Sequence, residues 1–145
     1  MKFTKEISKD WHFYAWNPWL HELDIRHDTI EEGYVKASLV NDPKYCAKVG
    51  HGQGRIFGGV ILALTDVVAY EAAMTSNIYV GGSLTQDSSF LREARGEMFT
   101  IESTVTKWGK TITHVETIWT NDEDKRVFQA LSTFTMLNHY PKVVV

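Results

Sequence analysis

Apolar and polar residues follow different patterns along this chain, and each pattern predicts a different element. Between Leu23 and Val40 the two classes alternate on either side of the turn sequence EEG, which predicts two strands joined as a hairpin. Residues 41–55 are rich in turn formers and show no periodicity, so we expect a loop. Residues 57–76 are apolar around most of a helix circumference, which predicts a long helix buried on nearly every side.

Downstream of the helix the pattern predicts four consecutive strands, at residues 83–91, 97–108, 111–120 and 126–137. A sheet made from these strands needs a cover on one face, and only the predicted helix is long and apolar enough to supply it. We therefore predict an α+β fold, a single hotdog domain over residues 1–145 in which a curved antiparallel sheet wraps a long central helix. We expect residues 1–20 to form a helical and aromatic extension, with Pro18 as the first residue of a short helix.

The second face and the edges of such a sheet stay open in a single copy, so we expect a homodimer or a homotetramer. The chain has 145 residues, a formal charge of -3 and no run of lysines or arginines, which argues against nucleic acid and anionic membranes as partners. Cys46 is the only cysteine and the histidines show no ligand spacing, so no metal site is expected. The start has no signal-peptide core, and we expect a cytoplasmic protein.

The predicted helix opens on Gly58 and Gly59 and carries a carboxylate, Asp66, in its middle. An unpaired buried carboxylate is costly, so Asp66 needs either a partner or a chemical role. Glycine amides at a helix N-terminus are suited to hold a carbonyl oxygen, and a carboxylate suits a general base or nucleophile. The alternatives are an Asp66 paired with an arginine or capping a loop, and glycines that only allow close helix packing.

The order of short motifs along the chain supports a catalytic role for this helix. FGG at residues 57–59 is followed by Asp66, FLREA, Gly96 and WGK. In this order the motifs resemble the hotdog acyl-CoA thioesterases of the phenylacetate-degradation type, over roughly residues 17–137. The resemblance implies hydrolysis of an acyl-CoA to free acid and CoA, at sites where subunits meet. It implies no cofactor, with CoA entering as part of the substrate, and it gives Gly58, Gly59 and Asp66 the roles described above.

Several positions depart from the family pattern. Phe57 stands where the family has the histidine of HGG, and RIFGG is closer to the first repeat of the double-hotdog medium-chain thioesterases. His51 stands where the family has a loop asparagine, with Gln53 nearby, and both are candidates for the catalytic site. Glu93 replaces the proline of FLRPA.

The remaining candidates come from the strands that follow the helix. Ser83 aligns with a family serine that helps to place the water, and Thr85, two residues along, is expected to face the same side and act as its substitute. Phe57 is a candidate for the acyl pocket, although a position in the core explains it equally well. Arg92 and Arg95, together with Lys107 and Lys110, are candidates for the CoA phosphates, although solvated surface charge is the slightly favoured explanation for any one of them.

Two other functions remain open at this point. A non-catalytic module that binds acyl-CoA or fatty-acyl groups would fit the loss of the family histidine and asparagine. A hotdog dehydratase is less favoured, because those enzymes pair a histidine with an acid and this helix contains no histidine.

Overall fold

The computed structural model describes residues 22–47, 54–76 and 79–138. The predicted helix after Pro18 and the rest of the N-terminal extension lie outside these residues. The described chain forms one long helix and eight strands, listed here in order: β1 Ile25–Glu31, β2 Tyr34–Val40, β3 Cys46–Ala47, β4 Arg55–Ile56, α1 Gly58–Met74, β5 Val80–Phe90, β6 Met98–Lys107, β7 Ile112–Asn121 and β8 Arg126–Met136.

Six of the strands form one antiparallel sheet in the order β1-β2-β6-β7-β8-β5, so β1 and β5 are its edges. The turn between β1 and β2 contains Gly33 at φ 79°, a backbone conformation that glycine adopts without strain. Helix α1 packs against the inner face of the sheet, where it contacts β2, β5, β6, β7 and β8. The predicted α+β hotdog arrangement is therefore confirmed.

The burial of α1 is uneven around its circumference. The positions that keep some exposure include Gly59, Ala63, Asp66 and Tyr70, which recur every three or four residues and so fall on one side of the helix. Most other positions of the helix are fully covered by the sheet. The helix is thus buried on all sides but one, and Asp66 lies on the open side.

Two polar contacts tie the buried sides of α1 to the sheet. Trp119 Nε1 of β7 donates to Thr65 Oγ1 over 2.8 Å, and both residues are fully buried. Glu71 is also fully buried, and its Oε2 contacts His27 Nε2 of β1. The most deeply buried acid of the helix is therefore Glu71, which joins the helix to an edge strand.

The segment predicted as a plain loop contains some regular structure. Pro43–Tyr45 form a 3₁₀ turn, and β3 pairs with β4 through Cys46 with Ile56 and Ala47 with Arg55. This small ladder leads directly into α1, because Phe57 follows β4 and its N–H donates to the Tyr45 carbonyl over 2.8 Å. Within the part of the chain that the structure describes, no helix is long and apolar enough to cross a membrane.

Candidate active site

The carboxylate of Asp66 has a hydroxyl partner on the neighbouring strand. Ser83 Oγ of β5 donates to Asp66 Oδ1 over 2.6 Å. Asp66 is half-buried and Ser83 is exposed, so the pair is open to solvent. Among the described residues no arginine pairs with Asp66. The structure thus brings together two of the residues that the sequence singled out.

Ser83 lies between two irregularities of β5. The register of β5 against β8 shifts between Val80 and Ser83 and again between Ser83 and Thr85. Ser83 pairs with Phe134 and Thr85 pairs with Thr133. Because Phe134 and Thr133 are consecutive, they face opposite sides of the sheet, and so do their partners.

This bulge contradicts one expectation about the site. Thr85 was predicted to face the same side as Ser83, and that prediction is wrong, because the extra residue reverses the alternation along β5. Gln86 takes the inward position instead, and its Nε2 donates to the Leu62 carbonyl of α1 over 3.3 Å. The sequence analysis missed Gln86. The available signal was Gly81-Gly82 directly before Ser83, since glycines inside a strand often mark bulges.

The N-terminus of α1 leaves two amides available. Phe57 is the N-cap residue and makes no side-chain cap, while its carbonyl accepts from the N–H groups of Val60 and Ile61 at 3.0 and 3.3 Å. The N–H groups of Gly58 and Gly59 meet no acceptor among the described residues. These donors and the positive end of the helix dipole suit an oxyanion.

An aromatic ring lies close to each of these two glycines, and only at Gly59 is the space too small for a Cβ without a shift of the ring. A Cβ at Gly59 would lie 2.6 Å from Phe57 Cε1, and one at Gly58 would lie 3.3 Å from Phe90 Cε1. At both positions the atom in the way belongs to a ring, and the sheet backbone does not come as close. The glycines therefore accommodate the two rings, which is a further role beside leaving the amides uncovered.

The amides and the carboxylate are separated along the helix. Asp66 follows Gly58 by eight residues, which corresponds to about 12 Å at the rise per residue of an α-helix. A single thioester group cannot contact both positions within one copy of the chain. The structure thus joins Asp66 to Ser83 and leaves the glycine amides as a separate feature of the same helix.

A family model of the thioesterase superfamily matches residues 53–128, which is more than half of the 145 residues. This chain belongs to the thioesterase superfamily. The match includes α1, Asp66 and Ser83. The narrower resemblance to the phenylacetate-degradation type, with its FGG variant of the family motif, stays a prediction.

Solved structures of thioesterases share the hotdog fold with this chain. A thioesterase family protein from Silicibacter pomeroyi is 21% identical, with 87% of this chain and 93% of that chain covered at a TM-score of 0.76. A hypothetical thioesterase from Streptococcus pneumoniae TIGR4, solved with coenzyme A, is 18% identical, with 92% and 98% covered at 0.74. Zebra fish thioesterase superfamily member 2 is 22% identical, with 78% and 81% covered at 0.71. No curated protein sequence matches the chain.

The arginines proposed for CoA phosphates already have partners in this thioesterase-superfamily chain. Glu93 bridges Arg95 Nε at 2.6 Å and Arg55 Nη1 at 3.1 Å, and the two guanidinium groups, Arg95 first, lower the pKa of the Glu93 carboxyl. Arg92 Nε donates to the Arg126 carbonyl over 3.0 Å. Their role toward CoA stays a prediction.

Two further candidates, His51 and Gln53, lie outside the described residues. The described part of the chain places no group of three or more histidine, cysteine, aspartate or glutamate side chains where they would hold a metal ion.

Proposed function

We propose that this protein hydrolyses acyl-CoA thioesters to the free acid and CoA. The observation that carries the proposal is the 2.6 Å hydrogen bond from Ser83 to Asp66 on the open side of α1. Membership of the thioesterase superfamily supports the reaction class. The Streptococcus pneumoniae structure solved with coenzyme A supports CoA as the carrier of the acyl group.

The proposed reaction needs only water and the residues of the chain. Asp66 accepts a proton from a water molecule, and the water oxygen attacks the thioester carbon. The carbonyl oxygen becomes negative and is held by the glycine amides at the helix N-terminus. The carbon–sulfur bond then breaks, and the CoA thiolate takes the proton from Asp66. Direct attack by Asp66, with a mixed anhydride that water then cleaves, is the other form of the same mechanism.

We propose further that two copies of the chain share each site. Gly58 and Asp66 of one copy are about 12 Å apart, too far to act on one carbonyl. Ser83 lies on β5, an edge of the sheet among the strands that the structure describes, where a second copy would be able to approach. The amide of Gly58 in one copy would therefore work with Asp66 and Ser83 of the other, in a homodimer or homotetramer.

The test uses two variants that each remove one half of the site. Asp66→Asn removes the base. Gly58→Pro removes the amide donor while keeping the helix start, because proline is favoured at the first helical position and Phe57 already has the extended backbone that precedes proline. Gly58→Ala, which keeps the N–H, is the matched control for the added Cβ. Thiol release from acyl-CoAs measures the activity of each variant and of each mixed dimer. The mixed dimers are isolated with a different affinity tag on each of the two chains.

Two mixed dimers contain the same two substitutions but distribute them differently between the chains. If two copies share each site, these dimers should differ in activity. An Asp66→Asn chain paired with a Gly58→Pro chain keeps one complete site and should show about half of the wild-type activity. A wild-type chain paired with the double variant keeps none and should be inactive. Reversed results would place each site within one chain. Absence of thiol release from the wild type, with acyl-CoA still bound, would instead favour a binding module.

A further inference from the structure

Two aromatic rings flank the first turn of α1, and the proposed mechanism uses neither. Phe57 is 58% exposed and Phe90 is 53% exposed, although both are large apolar side chains. The Phe57 ring lies over Gly59 and the Phe90 ring lies beside Gly58. Apolar surface is thus open to water directly next to the amides proposed to hold the thioester oxygen.

The fold holds the main chain of Phe57 and the ring of Phe90 in place. The main chain of Phe57 is fixed by its N–H bond to the Tyr45 carbonyl and by the two helix amides that its own carbonyl accepts. The Phe90 ring packs edge-on against the buried Phe128, with centroids 5.0 Å apart and an interplanar angle of 62°. The Phe90 wall therefore exists before a ligand binds, and Phe57 is anchored at its main chain, which limits the ordering that binding requires.

We propose that Phe57 and Phe90 form the acyl subsite and select thioesters whose first acyl carbons are apolar. The inference rests on the proposed function, because a carbonyl oxygen on the Gly58 amide brings the adjacent acyl carbons beside both rings. An apolar chain covers the rings and removes both surfaces from water. A hydroxyl or charged group on the same carbons loses its hydrogen bonds to water and contacts only ring carbons, which offer no hydrogen-bond partner, so its binding is weaker.

The experiment compares hexanoyl-CoA with 3-hydroxyhexanoyl-CoA, which differ by one hydroxyl at the carbon expected between the rings. We expect the wild type to favour hexanoyl-CoA in kcat/KM by about 10–100-fold, the discrimination typical of an apolar pocket against a hydroxyl. Phe57→His should reduce this preference about tenfold, mainly by lowering the KM for 3-hydroxyhexanoyl-CoA, because an imidazole offers the hydroxyl a partner. Phe57→Leu keeps an apolar wall and should keep most of the preference.

A control variant places the same change elsewhere on the surface. Leu131 is 55% exposed and pairs with Glu116 and Asp87, on the face of the sheet away from α1. Leu131→His should leave the preference unchanged. Equal preferences in the wild type and Phe57→His would overturn the inference. So would a Phe57→His protein whose only defect is a smaller assembly by light scattering, since the ring would then belong to an interface between copies.

A binding measurement separates this inference from the proposed function. S-hexyl-CoA and S-(3-hydroxyhexyl)-CoA are thioethers that cannot be hydrolysed, and calorimetry gives their affinities without turnover. A preference for S-hexyl-CoA that Phe57→His reduces would support the subsite even if no thioester is hydrolysed. Hydrolysis with no preference in either assay would leave the proposed function standing and overturn the subsite.

Discussion

The two oxygens of the Asp66 carboxylate have different surroundings. Oδ1 accepts a hydrogen bond from the Ser83 hydroxyl, whereas no residue in the described part of the chain forms a hydrogen bond to Oδ2. A carboxylate oriented in this way keeps one oxygen for a water molecule, while the serine limits rotation of the group.

Sequence reasoning identified Asp66 and Ser83 because a carboxylate in an apolar helix is unusual and because the order of the surrounding motifs resembles a specific family. It placed Thr85 on the wrong face because strict alternation was assumed along β5, although Gly81-Gly82 just before Ser83 are glycines of the kind that often mark a bulge.

The first prediction separates the roles of these two residues. Asp66→Asn should lower kcat by about 10²–10⁴-fold, the range typical of a lost general base. Ser83→Ala should cost less, because the base remains and only its orientation suffers. Thr85→Ala should change little, since Thr85 faces away from the helix. Thiol release at saturating acyl-CoA measures all three, and a loss in Thr85→Ala equal to that in Ser83→Ala would contradict the placement.

At the scale of elements, hydrogen bonds between side chains join α1 and the strands inside the core. The Thr65 hydroxyl on α1 accepts from the indole of Trp119 on β7, and both groups are fully buried. The apolar periodicity of the sequence predicts that helix and sheet pack together. It does not reveal which hydroxyl meets which indole, because that depends on the exact rotation of the helix over the sheet.

The second prediction tests this bond. Thr65→Val keeps the shape of the side chain and leaves the Trp119 N–H buried without an acceptor, which should lower the free energy of unfolding by about 1–3 kcal/mol. Thr65→Ser keeps the hydroxyl and should lose less. Urea unfolding followed by tryptophan fluorescence gives both values. Equal stability of the valine variant and the wild type would show that the bond contributes nothing.

The third prediction concerns a contact between β2 and β6. Tyr34 Oη donates to Glu102 Oε1 over 2.5 Å, and burial followed by this bond raises the pKa of Tyr34 above its ordinary 10.0. The folded protein therefore keeps the proton at pH values where the unfolded chain loses it. The stabilising contribution is complete below pH 10 and falls as the pH rises further.

Urea unfolding between pH 9 and pH 11 measures this effect. Tyr34→Phe should be less stable than the wild type at pH 9, and the difference should shrink toward pH 11. A difference that is constant over this range would show that Tyr34 ionises equally in both states.

At the scale of the whole molecule, two features support a site shared between copies. Within the described part of the chain β5 is an edge strand, and about 12 Å of helix separates Gly58 from Asp66. Leu84 and Leu91 in and beside β5 are about half exposed, on the edge that carries Ser83. An apolar edge strand favours association with another strand.

The alternation of apolar and polar residues predicted the sheet and its exposed edges. The residues 48–53, which contain His51 and Gln53, have no such periodicity, so sequence reasoning assigned those residues by alignment to a family alone.

The fourth prediction follows from this edge. Leu84→Glu should reduce the mass in solution from a multiple of 16.6 kDa to 16.6 kDa, because a charge opposes pairing at an edge. It should also abolish hydrolysis while leaving Asp66 and Ser83 intact. Leu131→Glu, at a similarly exposed leucine on the outer face of the sheet, is the control and should keep at least a dimer. Light scattering and thiol release test both, and an active monomer would contradict the shared site.

The N-cap residue of α1 is a position where members of the thioesterase superfamily are able to vary. The main chain of Phe57 makes the hydrogen bonds that start the helix, and its side chain points outward. The fold therefore places few demands on the identity of residue 57. With the proposed acyl subsite, a single codon change there should alter which acyl groups are accepted while the protein still folds. Residue 57 is consequently a natural first position for directed evolution of new substrate ranges.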